Sequence, residues 1–376
     1  MTIDVIVSTL PPVLDGIGDY TANMVTRLLP STSIRILTDA DQKPDDLPGI
    51  PILPVFDITH PRSVLNIVKV VMVRSPEWVL LQYYPFSYGK WGFNPYLGRC
   101  LRAIRRKCPG TRIAIMVHET YVPLISLKMA IMTTWQRWQM REIAKAADIL
   151  FCSCDSWTEQ VRAVVFNKTV VTLPVGSNIS VVPISRMEAR RRLGIEDKSF
   201  VLGVFGVSHP TRMPERVGAA AESVREQGMS PVLLYLGPDK EIMARQLGSI
   251  PVIADGVLPP DEISRRFAAM DLYLAPYTDG VSCRRTAFMT GIQHGIATAG
   301  TYGINTDSLL KTANGTAFLL AEAGNADEFL RNVTSLSGSE ELRAEVARAG
   351  AAFYRDEFDR QQIANRLLGL MGADRE

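Results

Sequence analysis

Short apolar runs alternate with helical patterns along this chain, and the alternation occurs twice, which limits the possible folds more than any other feature. The first series of strands is Ile3–Ser8, Ser33–Leu37, Trp78–Gln82, Arg112–Val117, Ile149–Cys152 and Val170–Leu173. A stretch rich in turn formers follows, from Pro174 to Pro183. The pattern then restarts with Phe200–Phe205, Pro231–Leu236, Pro251–Ala254, Leu272–Ala275 and Ile296–Ala299. Strands that alternate with helices predict a parallel α/β architecture. With 376 residues, 47% of them apolar, the chain can bury two ordinary cores. The pattern predicts two facing Rossmann-like parallel-sheet domains, residues 1–180 and 195–355. A ligand cleft is expected between them, at the carboxyl ends of both sets of strands. Residues 356–376 are expected to form a helix that packs back on the first domain, with Tyr354, Phe358 and Leu367–Leu370 as apolar anchors of the tail.

Several classes fall away. No apolar run reaches the roughly 18 residues of a membrane span. The start, Met1 to Val7, reads as a strand with no basic stretch before it, so no signal peptide is expected. Five cysteines without a CxxC pair point to reduced thiols and a cytoplasmic setting. Cys152-Ser-Cys154 is either a metal or redox pair or the end of the buried strand Ile149–Cys152. The four histidines lack zinc-like spacing, and no metal site is legible.

The net charge of +2 hides an asymmetry. Between Trp78 and Arg141, ten basic residues (Lys90, Arg99, Arg102, Arg105, Arg106, Lys107, Arg112, Lys128, Arg137 and Arg141) stand against one acid, Glu119. That segment is +9 and the remainder −7. Arg99, Arg102, Arg105 and Arg106 recur at helical steps on one side of a helix, and Leu124–Ala147 is a long helical pattern rich in Leu, Ile, Met and Trp. A solvated helix face accounts for such charge. So does an anionic partner, either the inner face of a membrane or a phosphate-bearing substrate. No nucleic-acid motif accompanies the charge, and no nucleic acid is expected as a partner.

Four constellations carry chemistry. Asp279 to Gly295 reads as a loop and then a helix, with Ser282 as N-cap and Gly295 as the stop. Arg284 and Arg285 then fall in the first turn, where the helix end already carries positive charge, so they cost stability unless an anion arrives. The alternative is that both point into water or pair with carboxylates. Phe205-Gly206 leads to Arg212, again ahead of a helix (Pro214–Glu226). Val117-His118-Glu119 ends a strand, where an imidazole can contact a sugar hydroxyl or serve the core. Asp15-Gly16-Ile-Gly18-Asp19-Tyr20-Thr21 opens the helix Tyr20–Leu29, and Asp39 follows about twenty residues later, as in a dinucleotide fingerprint. Gly16 comes seven positions after Thr9, however, and Thr21 occupies the third glycine position.

With these pieces in place the chain resembles the retaining GT-B glycosyltransferases of the family-4 type over nearly its whole length. The resemblance rests on Gly16 to Thr21, His118-Glu119, Phe205-Gly206 with Arg212, Leu258-Pro-Pro-Asp-Glu262-Ile263, Met270 to Tyr277, and Asp279 to Gly295. The family's usual signature is a pair of glutamates separated by seven residues, ahead of a glycine that ends the helix. Counted back from Gly295, those positions hold Ser282 and Thr290. The carboxylate contacts to donor sugar and ribose are therefore not carried over. A subset of such enzymes looks similar, with a Ser-x-Arg-Arg loop in place of the first glutamate.

The resemblance implies a GT-B fold and a metal-independent, hexosyltransferase-type reaction without a bound cofactor. A sugar passes with retention from a nucleotide donor, UDP or GDP, to an acceptor sugar or lipid-linked glycan, in polysaccharide or glycolipid assembly. It implies catalytic roles for His118, Arg212 and Arg284. Donor and substrate contacts fall to Gly16, Gly18, Asp19, Glu119, Gly206, Ser282, Arg285 and Thr290. Two other classes remain open: a nucleotide-sugar epimerase of similar fold, which needs catalytic carboxylates, and a non-catalytic sugar-binding scaffold, which accounts for the missing glutamates.

Overall fold

The computed structural model describes every residue except Leu14, 123–126, Ser208 and 373–376. The chain forms two units: Met1–Pro174 together with the chain from Arg360, and Val175–Asp359.

The first unit is built on seven strands: β1 (Thr2–Ile6), β2 (Ser33–Asp39), β3 (Ile52–Phe56), β4 (Trp78–Tyr83), β5 (Arg112–Val117), β6 (Ile149–Cys152) and β7 (Thr169–Thr172). They lie in the order β3-β2-β1-β4-β5-β6-β7, all parallel. The second unit holds β8 (Ser199–Phe205), β9 (Ser230–Leu236), β10 (Val252–Ile253), β11 (Leu272–Ala275), β12 (Thr298–Tyr302) and β13 (Leu319–Glu322). Their order is β10-β9-β8-β11-β12-β13, again all parallel. Each sheet reverses its winding once, between β1 and β4 and between β8 and β11. At such switch points the loops leaving the carboxyl ends diverge and open a crevice.

Parallel strands covered on both faces read as continuous apolar runs, and every residue of β4 is buried. In the second sheet, alternate side chains feed two separate cores. Val201, Leu234, Tyr273 and Ala275 point to one; Leu202, Val204, Leu233, Tyr235, Leu272 and Leu274 point to the other. Each large apolar side chain so buried contributes about 1.5–3 kcal/mol. The sequence pattern misses β3 and β13, both of which pair on one side only. β3 contains Pro54, which an edge strand tolerates because one side of its backbone needs no ladder bond.

The arginine-rich helix forms as Leu97–Lys107, yet two of its five cations are neutralised. Arg102 Nη1 lies 2.5 Å from Glu142 Oε2, and Arg105 Nη1 lies 2.8 Å from Asp148 Oδ1. Both acids stand just past Arg141, so counting charge along the chain overstates the free positive charge here. Among the described residues no helix is long and apolar enough to cross a membrane. The helix Arg360–Gly372 packs against the helix Gly16–Leu28, burying Ile363, Ala364, Leu367 and Met371. Arg360 Nη1 also donates to Asn23 Oδ1 at 3.1 Å.

Candidate functional site

The strand ends beside the switch point of the second unit gather the arginines. Arg212 follows β8 and pairs its backbone with Tyr277, which follows β11. Arg212 is only 7% exposed. Its Nη2 donates to Phe205 O at 2.7 Å and to Tyr277 Oη at 3.0 Å, while Nε and Nη1 find no partner among the described residues. No carboxylate lies within ion-pair distance of it among those residues. Gly206, at φ +103°, keeps the backbone clear of this group; a β-carbon there would sit 3.3 Å from Arg212 Nη2.

Arg190 shows how the same unit treats a structural arginine. It is equally buried, but Nε donates to Ala269 O, Nη1 to the carbonyls of Asp197 and Ser199, and Nη2 to Asp271 Oδ2. An unmade bond to a buried donor costs about 1–3 kcal/mol. Arg190 avoids that cost and Arg212 does not. A buried guanidinium without a counter-charge leaves its field uncompensated, and an arriving anion meets that field at short range.

The loop after β11 differs from the sequence expectation in a way that matters. The helix begins at Thr286, with Arg285 at the N-cap position, and Ser282 makes no side-chain cap. Arg284 and Arg285 therefore precede the helix rather than form its first turn. The cause is the neighbouring strand end: Val281 N–H donates to Thr301 O and Cys283 N–H to Asp307 Oδ2, holding the chain extended. Gly280, at φ +84°, permits the approach, since a β-carbon would meet Gly303 N at 2.3 Å. Gly295, at φ +64°, does end the helix region as expected.

Arg285 Nη2 pairs with Asp279 Oδ1 at 2.6 Å and donates to Thr211 Oγ1 at 2.9 Å. Its guanidinium lies 3.9 Å from the centroid of Tyr277, which also receives Arg212 at 5.0 Å. One ring thus carries two cations, an arrangement that its negative faces support. Arg284 Nη2 stands 4.0 Å from Asp279 Oδ2. Burial pushes the Asp279 carboxyl up, but Arg285, Asn305 and Thr211 outweigh it and hold the net pKa below the usual range. His209 Nδ1 accepts from Thr211 N–H, leaving the ring proton on Nε2. Its pKa is lowered by burial and then by Arg285, with Arg284 and Arg212 adding to the effect, so three cations act on one point. Ser282 is fully buried, and its Oγ has no partner among the described residues.

Thr290 is placed differently. It is fully buried, donates to Thr286 O at 2.8 Å and shares a 2.8 Å bond with Ser177 Oγ, so its hydroxyl is committed inside the unit. The expected donor contact would have to compete with these two bonds.

In the first unit, the helix expected at Tyr20 starts one turn earlier, at Gly16. Asp15 caps it by accepting from Gly18 N–H at 2.9 Å and from Thr9 Oγ1 at 2.5 Å. Gly18 is needed for packing, because a β-carbon would lie 3.0 Å from Thr9 O; nothing crowds Gly16. His118 directly follows β5 and is 8% exposed, with Nε2 2.7 Å from Gln82 Oε1 and its ring edge-on to Tyr20 at 5.1 Å. Acidic groups gather around it. Burial, then Asp15, raises the Asp19 pKa, while Tyr84 is pushed up to about 12 by burial, then by Glu119 and Asp15. Asp15, Gln82, Tyr84, His209, Thr211, Tyr277 and Asp279 were not among the expected site residues; Gln82 is the penultimate residue of β4, and the others lie on segments that leave the carboxyl ends of strands.

Burial lowers the His118 pKa to about 4, against a smaller opposing pull from Asp15. A free histidine titrates near 6.5, so below that pH the unfolded chain binds more protons than the folded one. Stability should therefore fall as the pH drops from about 6.5 to 4, by on the order of 3 kcal/mol. In urea unfolding, His118→Asn should lack this part of the acid slope. Equal slopes in both proteins would mean that the ring is protonated in the fold.

No family model matches the sequence, and a comparison with curated proteins finds no relative. Solved structures do match. Sucrose-phosphate synthase from Thermosynechococcus elongatus is 15% identical, with 98% of each chain covered and a TM-score of 0.72. HepE of Anabaena, in complex with UDP and glucose, is 12% identical over 99% of this chain and 100% of its own, with a TM-score of 0.69. WaaG, a glycosyltransferase involved in lipopolysaccharide biosynthesis, is 14% identical over 98% and 99%, with a TM-score of 0.68. The fold is the GT-B fold of nucleotide-sugar glycosyltransferases.

Proposed function

We propose that this chain is a glycosyltransferase that carries a sugar from a nucleoside diphosphate, UDP or GDP, to a hydroxyl of an acceptor sugar or lipid-linked glycan. The observation that carries the reading is the buried, uncompensated guanidinium of Arg212 beside a loop that holds Arg284 and Arg285. When the glycosyl–phosphate bond breaks, its electron pair stays on the diphosphate. Three fixed cations, with the Ser282 hydroxyl and the Gly206 turn, stabilise that charge as it develops. They supply charge that a divalent metal could otherwise provide. Retention often uses a carboxylate nucleophile, but Ser282 and Thr290 stand at the acidic-pair positions. The incoming hydroxyl therefore attacks from the face that the diphosphate leaves and passes its proton to the departing phosphate oxygen.

A pocket of about 110 Å³ lies between Phe205–Val207, Leu236–Pro238 and Gly256–Leu258. Its glycine and apolar walls suit the flat face of a nucleobase, and HepE, of like fold, is seen with UDP. In the first unit, His118 is assigned a sugar hydroxyl; Gly16, Gly18, Asp19 and Glu119 are assigned to the acceptor. Assembly of polysaccharide or glycolipid on the cytoplasmic side is the setting that this reading favours. The serine and threonine at the glutamate positions favour a second reading, a sugar-nucleotide-binding protein without turnover.

A melting-temperature panel of UDP, GDP, ADP and TDP, each beside its nucleoside, tests the site. At about a hundred times its Kd, a ligand of the native state adds roughly 2.7 kcal/mol. One diphosphate should raise the melting temperature by several degrees and its nucleoside should do much less. No shift with any diphosphate would sink the proposal, and binding without sugar transfer would select the second reading.

A further inference from the structure

We infer that the N-terminal unit docks on an anionic lipid surface through one patch, formed by Lys90–Gly92 and the outer side of the helix Leu127–Ala144. The inference is independent of the catalytic reading. Trp91 adopts φ +59°, a left-handed conformation that non-glycine residues pay for. Trp135 Nε1 and Gln136 Nε2 both donate to Trp91 O at 3.2 Å and hold it there. The result is an indole that is 54% exposed, stacked on Trp135 at 6.4 Å, with Lys90 Nζ 5.8 Å and Lys128 Nζ 5.7 Å from its centroid.

Along the helix, Leu127, Ile131 and Trp138 are 81%, 52% and 45% exposed. Their steps of four and seven residues put them on one side. Phe93 touches both Trp135 and Trp138, joining the two aromatic groups. Lys90, Lys128, Arg137 and Arg141 make no ion pair among the described residues. On the helix Leu97–Lys107, Arg102 and Arg105 are paired and Arg99, Arg106 and Lys107 are not among the described residues, but none of that helix's large apolar side chains is exposed, so cations and exposed apolar groups coincide at this patch.

The composition of the patch selects its occupant. Exposed Leu127 and Ile131 need an apolar phase, which an acidic glycan does not offer. Four unpaired cations need anions, and a second copy of the chain would bring the same cations face to face. An anionic bilayer supplies both: acyl chains for the aliphatic groups, an interface for the indoles and headgroup charge for the cations.

Sedimentation with vesicles of phosphatidylcholine alone, or mixed with phosphatidylglycerol, tests this. The protein should sediment with the mixed vesicles and release as salt rises. Lys90→Glu with Lys128→Glu should weaken binding on the order of tenfold or more. Ile131→Ser, and separately Trp138→Ser, should weaken it at unchanged melting temperature. Arg106→Glu changes charge in the same direction on the helix Leu97–Lys107 and should bind like the unaltered protein. Equal binding to neutral vesicles, or an Arg106→Glu effect equal to that of the patch variant, would overturn the inference. So would absence of vesicle binding in a protein that instead dimerises or binds an acidic polysaccharide through these residues.

Discussion

Replacing Arg212 with methionine is expected to weaken nucleoside diphosphate binding by about ten- to a hundredfold, because charge-assisted contacts contribute about 1.5–3 kcal/mol each. The free protein should stay about as stable as before. Methionine fills the volume of the arginine stem, and the two lost bonds, to Phe205 O and Tyr277 Oη, are offset by removing two buried nitrogens that have no partner among the described residues. Arg285→Ala behaves differently. The sequence alone implied that losing either loop arginine would relieve a helix end, but Arg285 pairs with Asp279 and opposes the upward push of burial on that carboxyl. That variant should lose both ligand and stability. The imidazole of His209 supplies a second readout by NMR: diphosphate offsets the three cations that depress its pKa, so the pKa should rise on binding. Unaltered diphosphate affinity in Arg212→Met, with no movement of His209, would remove the anion site.

His118→Ala is expected to lower turnover by a factor on the order of 10²–10³ while leaving diphosphate affinity near its original value. With a pKa of about 4 the ring is neutral through the physiological range, and its bond to Gln82 Oε1 fixes the Nε2 proton. It can orient a hydroxyl but cannot act as a standing cation. Some stability should go with the ring, since Gln82 is buried and its amide nitrogen already has no partner among the described residues. A melting temperature several degrees lower with near-normal turnover per folded molecule would leave His118 as a core residue only.

The interior strands were legible because burial on both faces writes itself as an apolar run. Arg112–Val117, Ile149–Cys152 and Leu272–Ala275 match residue for residue. β3 and β13 were not, because an outer strand can carry Pro54 or Glu322 without losing its only ladder. At the site, the sequence displayed Arg212, Arg284 and Arg285 but not their states. Whether an arginine is paired depends on residues distant along the chain: Asp279 serves Arg285, Glu142 serves Arg102, and no carboxylate among the described residues serves Arg212. Helix starts were misplaced for a related reason. Asp15 caps through Gly18, whereas Ser282 is prevented from capping by bonds that the loop makes to Thr301 and Asp307.

The return of Arg360–Gly372 to the first unit fixes an order of events during synthesis. Ile363, Ala364, Leu367 and Met371 are part of that unit's interior, yet they leave the ribosome only after the whole of Val175–Asp359. At about 5–20 residues per second, the nascent first unit waits roughly 10–40 s with the face of Gly16–Leu28 uncovered. The second unit is contiguous and can close as it emerges. The part of the protein translated first is therefore the part completed last.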